Sequence, residues 1–205
     1  MARHPLRRHD FMNLFANFYW TFIDLLANQF DAFALHYYDN SIGSEYRREY
    51  QKYQINNNDN ILHIGCGIFP LTEITLARQT NATIVGIDKN KRIIQKALSS
   101  VQHYGLENQI RIKHGVGEKF PLSSFSVIII SSCASPKKSI LNNIISQMNP
   151  GTKIIIREVE SSSKSLFETL SKQQNLSFCG SISHHPFPFY SPFGWESQCY
   201  MKKTD

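Results

Sequence analysis

The segment spanning residues 61–88 constrains the fold of this chain more than any other stretch. It begins with a short apolar run, passes two glycines into a helical pattern, and ends with a second β-branched run before Asp88. Short apolar runs bounded by glycine are typical of buried parallel strands. The order strand, glycine turn, helix, strand and acid predicts the nucleoside-binding half of a Rossmann-like unit. The alternative is an ordinary βαβ unit whose glycines only make a tight turn.

The loop after the first strand reads Gly65-Cys66-Gly67, and Pro70 replaces the third glycine of a dinucleotide-binding loop. Glycine allows the backbone to approach a ligand closely, and proline fits the first turn of a helix. The loop therefore looks less like a diphosphate cradle than like one that binds S-adenosylmethionine (SAM), which carries a carboxylate and an amine instead. Asp88, at the tip of the second strand, can accept both ribose hydroxyls.

The rest of the chain alternates between helical and extended patterns. Helices are predicted at 91–104, 139–148 and 165–173, and strands at 110–113, 126–130, 153–157, 178–183 and 196–202. Together with the first unit, these elements predict an α/β domain over residues 57–205: a Rossmann-like, doubly wound and mostly parallel seven-stranded sheet. Residues 1–56 form an N-terminal helical extension.

The N-terminal extension carries apolar residues at helical spacing. The stripe comprises Phe11, Leu14, Phe15, Phe18, Phe22, Leu25, Leu26 and Phe30. We expect one or two amphipathic helices with this face buried, acting as a lid over the substrate side. The alternatives are a dimer helix or a membrane-surface helix, but the polar face lacks the Lys and Arg that an interfacial helix favours. Residues 36–40 read as a hinge, and Ser44 as the cap of a helix over 44–53.

Composition limits the partners and the compartment. The net charge of +6 is only mildly basic, and no dense Lys/Arg run with interleaved aromatics is present, so we expect no nucleic-acid partner. The sequence shows neither a signal peptide nor a spanning segment, which predicts no membrane partner and a cytoplasmic location. None of the four cysteines has C-x-x-C spacing, so we expect no metal site.

Seven strands alternating with helices and ending in a hairpin resemble the class I SAM-dependent methyltransferases over residues 60–203. The most specific parts are residues 61–67, Asp88, and the turn 149–151 before the fifth strand. The resemblance implies SAM as the cofactor. We expect it to contact Gly65, Cys66, Gly67, Asp88, Lys89, Gly117, Glu118, Ser131 and Ser132.

A narrower resemblance is to the nicotianamine synthases. Residues 67–77, GIFPLTEITLA, are similar to that family's loop and helix, and the same holds for YYDN at 37–40, Glu49-Tyr50, and Arg157 at a strand end after Pro-Gly. This resemblance implies transfer of the 3-amino-3-carboxypropyl arm of SAM to an amine, which leaves 5′-methylthioadenosine (MTA). Methyl transfer would instead leave S-adenosylhomocysteine.

The same resemblance implies catalytic residues. Glu49 is the expected base, because an acid at this place faces the acceptor amine in that family; a solvated helix glutamate is the alternative. Tyr38 is expected to be catalytic as well. Tyr37 and Tyr50 can wall the acceptor pocket and contact a cation through their rings.

Other candidates come from the ends of the strands. Arg157 binds an acceptor carboxylate or pairs with Glu158 or Glu160. Cys133 lies at the ligand crevice, where buried packing is the common role of a cysteine. For Glu73, in the first turn of the loop helix, we expect a favourable interaction with the helix N terminus rather than catalysis.

The sequence therefore predicts a SAM-dependent transferase of a small amine or amino-acid-like acceptor, acting by aminocarboxypropyl transfer. Small-molecule methyl transfer is the close alternative. A SAM-binding regulatory protein without catalysis is the second alternative. A second copy paired through the N-terminal helix is a further partner to consider.

Overall fold

The computed structural model describes residues 8–30, 33–185 and 194–204. Its helices are α1 (Arg8–Gln29), a π-helix (Phe33–Gly43), α2 (Ser44–Lys52), α3 (Leu71–Ala77), α4 (Lys91–His103), α5 (Lys137–Gln147) and α6 (Glu160–Ser171). Its strands are β1 (Asn60–Ile64), β2 (Thr83–Asp88), β3 (Ile110–His114), β4 (Val127–Ile130), β5 (Lys153–Val159), β6 (Leu176–His184) and β7 (Trp195–Lys202).

These strands form one sheet in the order β3-β2-β1-β4-β5-β7-β6. Neighbouring pairs from β3 to β5 are parallel, whereas β7 runs antiparallel to both β5 and β6. The predicted Rossmann-like, mostly parallel seven-stranded sheet is confirmed. The strand order reverses between β1 and β4, and the crevice at such a switch point is where open α/β sheets bind ligands.

The core lies in two layers because successive side chains of a strand face opposite sides of the sheet. On β1, Ile61 packs with the cluster that includes residues of α1, α2, α3 and α4. Leu62 and Ile64 pack with the cluster that includes residues of α5 and α6. His63 alternates with Leu62 and Ile64, so it lies on the same side of the sheet as Ile61, α2 and α3.

Helix α1 packs on the domain through a face that differs from the predicted one. Ile23 and Ala27 are buried. The predicted stripe is instead exposed at Phe18 (71%), Phe22 (51%), Leu25 (39%) and Phe30 (54%), so the prediction of a buried aromatic face is wrong there. Helical periodicity identifies an apolar face, but α1 is turned so that its polar residues Thr21 and Asp24 reach the crevice. The side chains of Phe11, Leu14 and Phe15 lie outside the described part.

The aromatic side chains of Phe18 and Phe22 on α1 are exposed. Pairing of α1 with a second copy of the chain stays a prediction. None of the helices within the described ranges is long and apolar enough to cross a membrane.

The expected hinge at residues 36–40 is helical. It belongs to the π-helix, which runs directly into α2 without a break. For the same reason Ser44 does not cap α2: its hydroxyl donates to the Ser41 carbonyl at 2.6 Å, and Gly43 before it has helical backbone angles. The extension up to Lys52 is therefore continuous helix from Phe33 onward.

Polar contacts attach α2 to the antiparallel edge of the sheet. Arg48 donates to the Ser183 carbonyl at 2.6 Å, and Tyr53 donates to the Ser197 carbonyl at 2.8 Å. His184 on β6 is fully buried between two partners, with Nδ1 2.9 Å from Glu45 Oε2 and Nε2 2.9 Å from Ser197 Oγ. A neutral imidazole that donates from Nδ1 and accepts at Nε2 satisfies both contacts.

We expect His184 to make stability depend on pH. Burial lowers the pKa of His184 to about 3, and the nearby charges of Arg157, Arg48 and His185 act in the same direction. An unfolded histidine takes a proton near pH 6.5, so between about pH 6.5 and 3 the unfolded state binds more protons. The free energy of unfolding therefore falls as the pH falls through this interval.

His184→Gln removes that titration. The stability advantage of the wild type over the variant should shrink as the pH falls from 6 to 4, by up to about 1.4 kcal/mol per pH unit, measured by urea denaturation. His103→Gln, an exposed histidine at the end of α4, is the matched control. A wild-type advantage that stays constant over this interval would show that His184 is not held neutral.

Candidate active site

A cleft of about 510 Å³ opens at the carboxyl ends of the parallel strands. This volume is in the range of sites for small molecules. Its floor is the loop after β1, and its walls include residues following β2 and β4. Thr21 and Asp24 of α1 and Tyr46 of α2 contribute to its lining. The helical extension therefore forms part of the cleft.

The glycine loop has the geometry that its sequence requires. Gly65 (φ +91°) and Gly67 (φ +73°) both adopt left-handed backbone angles, which favour glycine. The N–H groups of Gly65 and Cys66 both donate to the Ile87 carbonyl, at 2.8 and 3.1 Å. The N–H of Gly67 donates to Asp88 Oδ2 at 3.3 Å. The ends of β1 and β2 are thus tied together at the loop.

The structure brings the predicted cofactor residues together. The residues that line the cleft include Gly65, Cys66, Gly67, Asp88, Lys89, Gly117, Glu118, Ser131 and Ser132. Of the predicted acceptor residues, Cys133 and Arg157 line it as well. Glu49 and Tyr50 are buried behind this surface. Tyr37 and Tyr38 belong to the π-helix, and their side chains lie outside the described part.

Arg157 connects β5 with two helices. Its Nε donates to Glu49 Oε2 at 3.0 Å, and its Nη1 donates to Thr72 Oγ1 at 2.7 Å. Its Nη2 donates to the Tyr50 hydroxyl at 3.4 Å, and the guanidinium carbon lies 3.8 Å from the centre of the Tyr46 ring. The expected pairing of Arg157 with Glu158 or Glu160 is wrong, because Glu49 takes that place. Glu158 lies 3.4 Å from Lys137 instead.

The Glu49–Arg157 pair is charged although it is buried. Burial raises the pKa of Glu49, and the Arg157 guanidinium opposes this effect. A guanidinium does not lose its proton in proteins, so a neutral Glu49 would leave Arg157 buried without a counter-charge. The carboxylate of Glu49 is therefore engaged by Arg157.

A second buried acid–base pair lies below the loop. His63 Nδ1 is 2.8 Å from Glu73 Oε1, and the two side chains are 4% and 0% exposed. Glu73 therefore does more than interact with the end of α3, as expected from its position in the first turn. Gly86, the partner of His63 on β2, makes room for this pair, since a Cβ there would collide with Glu73 Oε1.

Sequence reasoning missed several residues of the cleft: Thr21, Asp24, Tyr46, His63, Thr72 and Trp195. Helical spacing could have identified Tyr46. It lies three residues before Glu49 and four before Tyr50, on the same face of α2. Asp24 gave no local signal. Its Oδ2 would lie 2.6 Å from a Cβ at Gly67, so a helix distant in sequence places a carboxylate directly over the loop.

The cysteines of the cleft are unsuited to nucleophilic attack. Burial raises the pKa of Cys66 well above its ordinary value and that of Cys133 to about 11. Both thiols therefore stay protonated near neutral pH, and the thiolate is the reactive form. Within the described ranges, no three His, Cys, Asp or Glu side chains gather to hold a metal ion.

The fold and the cleft define a nucleoside-binding Rossmann-like domain with a helical cover. The family model for a methyltransferase domain matches residues 55–201, and the chain belongs to that family. Membership confirms the prediction of a SAM-binding domain made from the glycine loop and Asp88. No curated protein sequence matches this chain.

Solved structures show the same fold at low sequence identity. A Glu-to-Gln variant of MtNAS, a nicotianamine synthase, in complex with S-adenosylmethionine has a TM-score of 0.72 and 16% identity, covering 94% of this chain and 76% of its own. The [4+2]-cyclase SpnF has a TM-score of 0.66 and 13% identity, covering 79% and 81%. An RNA methyltransferase from Salinibacter ruber in complex with S-adenosyl-L-homocysteine has a TM-score of 0.62 and 14% identity, covering 79% and 92%.

Gly67→Ala should abolish or severely weaken the binding of SAM. The substitution adds backbone strain at a left-handed position and places a Cβ 2.6 Å from Asp24 Oδ2 inside the cleft. Gly105→Ala is the matched control, because Gly105 is also left-handed (φ +66°) but a Cβ there meets nothing within 4 Å. Calorimetric titration of both folded variants with SAM separates the two effects. Equal affinities would show that the loop does not contact the cofactor.

Glu49→Gln should destabilise the protein by about 3–5 kcal/mol, because it leaves the buried Arg157 without its counter-charge. The free energy of unfolding from urea denaturation is the measurement. Glu168→Gln, on the exposed face of α6, makes the same chemical change at the surface and should leave stability unchanged. A loss of stability for Glu49→Gln no larger than that of the control would contradict a charged buried pair.

Proposed function

We propose that this protein is a SAM-dependent transferase that moves the 3-amino-3-carboxypropyl arm of SAM to a small amine or amino-acid-like acceptor. The observation that carries the proposal is the helical cover. The sheet domain, residues 57–205, makes up about three quarters of the chain. A superposition that covers 94% of the chain must therefore include most of the N-terminal helices.

The share of this chain that each solved structure covers divides the similar structures into two groups. The MtNAS structures cover 90–94% of this chain, and one of them is in complex with MTA and tNA. SpnF and the methyltransferases of Salinibacter ruber and Galdieria sulphuraria cover 78–79%. The superposition on the SAM complex of MtNAS thus extends over more of the N-terminal helices, which supply Asp24 and Tyr46 to the cleft. SpnF acts as a [4+2]-cyclase, so this fold alone does not determine the reaction.

SAM fits the residues of the cleft. The loop at Gly65 and Gly67 lets the methionine part approach the backbone, and Asp88 stands at the end of β2 for the ribose hydroxyls. Glu118 lies where a carboxylate can accept from the adenine amine, and Ser131 and Ser132 close the opposite wall. When bound, SAM supplies carbon atoms that are activated by the positive charge of its sulfur.

The acceptor is proposed to bind between Arg157 and the helical cover. Arg157 uses one N–H each for Glu49, Thr72 and Tyr50. A guanidinium has five N–H donors, so two remain for an acceptor carboxylate. Tyr46 lies against the guanidinium on the cleft side, and burial raises its pKa to about 12, so it stays protonated. The role of Glu49 in this proposed site is to hold the Arg157 guanidinium in place.

The cover also favours a small acceptor over a polymer. Asp24 places a carboxylate over the glycine loop, which repels the phosphates of a nucleic acid. The same carboxylate attracts a cationic amine. We therefore propose a small-molecule acceptor rather than a nucleic acid, and the lack of a membrane partner stays a prediction.

Methyl transfer to a small acceptor is the second candidate. The family match favours it, because the matching model describes a methyltransferase domain over residues 55–201. The two reactions use the same cofactor site and differ in which carbon of SAM faces the acceptor. A SAM-binding regulatory protein is the remaining alternative, and it would keep the site without turnover.

Product analysis tests the proposal. Incubation of the protein with SAM and a panel of amines and amino acids should yield MTA in equal amount to the alkylated acceptor, measured by mass spectrometry. S-adenosylhomocysteine as the product would establish methyl transfer instead. SAM binding with neither product, across the panel, would favour the regulatory alternative. In parallel calorimetric titrations, we expect MTA to bind at least as tightly as S-adenosylhomocysteine.

A further inference from the structure

His63 has one ring nitrogen held by the protein and the other without a protein partner. Nδ1 is 2.8 Å from Glu73 Oε1. Nε2 is buried and has no hydrogen-bonding partner among the described residues, and His63 lines the cleft. A neutral imidazole that donates from Nδ1 to a carboxylate carries its lone pair on Nε2. The ring thus offers a hydrogen-bond acceptor to a ligand in the cleft.

The residues around His63 make room for its contact with Glu73. Glu73 reaches His63 across Gly86, the one position of β2 in register with His63, where any side chain would collide with the carboxylate. Burying a carboxylate and an imidazole in a sheet domain costs stability that apolar residues would not cost.

Three other polar groups nearby are already engaged by protein partners. The carboxylate of Glu49 is engaged by Arg157 behind the wall of the cleft. Lys137 is buried and donates to the carbonyls of Ser131 and Arg157 at 2.7 and 3.0 Å. Asp88 accepts one hydrogen bond from the Gly67 N–H at 3.3 Å and one from the Asn90 N–H at 2.8 Å. His63 lies on the same face of the sheet as Arg157, separated from β5 only by β4.

We propose that His63, oriented by Glu73, is the catalytic base that takes a proton from the ammonium group of the acceptor. This inference rests on the proposed transfer to an amine, with either carbon of SAM. An ammonium ion has no lone pair and cannot attack, so deprotonation must come first. An imidazole backed by a carboxylate suits this step, because the carboxylate fixes the tautomer and stabilises the imidazolium that forms.

The acceptor ammonium gives one proton to His63 Nε2, and the freed nitrogen lone pair forms a bond to a carbon attached to the sulfonium sulfur. The bond between that carbon and sulfur breaks, and its electron pair stays on sulfur, which becomes neutral. The product leaves as an alkylated ammonium ion, and His63 returns its proton to solvent. Glu73 orients the ring through Nδ1 and acts as a positioning residue.

Two amino acids of matched size test the proposal, namely alanine, whose amine is protonated at neutral pH, and 3,3,3-trifluoroalanine, whose amine is largely not. His63→Gln should lower turnover of alanine by about 10²–10⁴-fold and turn over the fluorinated amine at nearly the wild-type rate. His103→Gln is the control. An equal loss with both amines would mean that His63 acts structurally and would overturn the proposal.

Two readouts do not depend on turnover. Calorimetry should show that His63→Gln binds SAM like the wild type, and an affinity loss of more than about tenfold would make His63 a cofactor contact instead. Long-range ¹H–¹⁵N spectra should show His63 with its proton on Nδ1, and Glu73→Gln should alter the tautomer ratio. A proton on Nε2 in the wild type would overturn the proposal. Wild-type protein that yields no product from any amine would refute the proposed function. The spectra test the tautomer of His63 independently of that result.

Discussion

The ion pair between Arg157 and Glu49 is the interaction on which the rest of the cleft depends. The guanidinium joins β5 to α2 through Glu49 and to α3 through Thr72, residues that are 108 and 85 positions away in the chain. Both charges are buried, so losing either partner leaves the other uncompensated. This requirement fixes how the helical cover sits on the sheet, because α2 must approach β5 closely enough for the carboxylate to reach Arg157.

The helical cover is attached to the sheet domain by polar contacts at several places and by buried apolar residues of α1, the π-helix and α2. On the cleft side α2 is held by Arg157, and on the outer side by the buried His184 and the carbonyls of β6 and β7. Helix α1 contributes Ile23 and Ala27 to the core while its large aromatics are exposed. The position of α2 is thus determined by directional contacts. The position of α1 depends on this apolar seam and on the hydrogen bond that Asn28 Nδ2 donates to Ser100 Oγ of α4 at 2.8 Å.

Sequence reasoning recovered the parts of the site that are determined locally. Gly65, Gly67 and Asp88 belong to one strand–turn–strand unit, and left-handed backbone angles can be inferred from glycine spacing. Arg157 was placed at the cleft correctly, but its partner was sought among neighbours in the chain, whereas Glu49 reaches it from another helix. The orientation of α1 was predicted wrongly for a related reason. Periodicity defines a face, and only the shape and polarity of the surface beneath decide which face is buried.

The two buried acid–base pairs differ in whether their basic side chain can exchange a proton near neutral pH. A guanidinium keeps its proton at any pH that the protein tolerates, so Arg157 provides a fixed charge, whereas an imidazole can give and take a proton near neutral pH. Thr72 and Glu73, adjacent residues in the first turn of α3, hold one pair each. That helix begins directly after the glycine loop. One seven-residue helix therefore joins the loop that lines the cleft to both buried pairs.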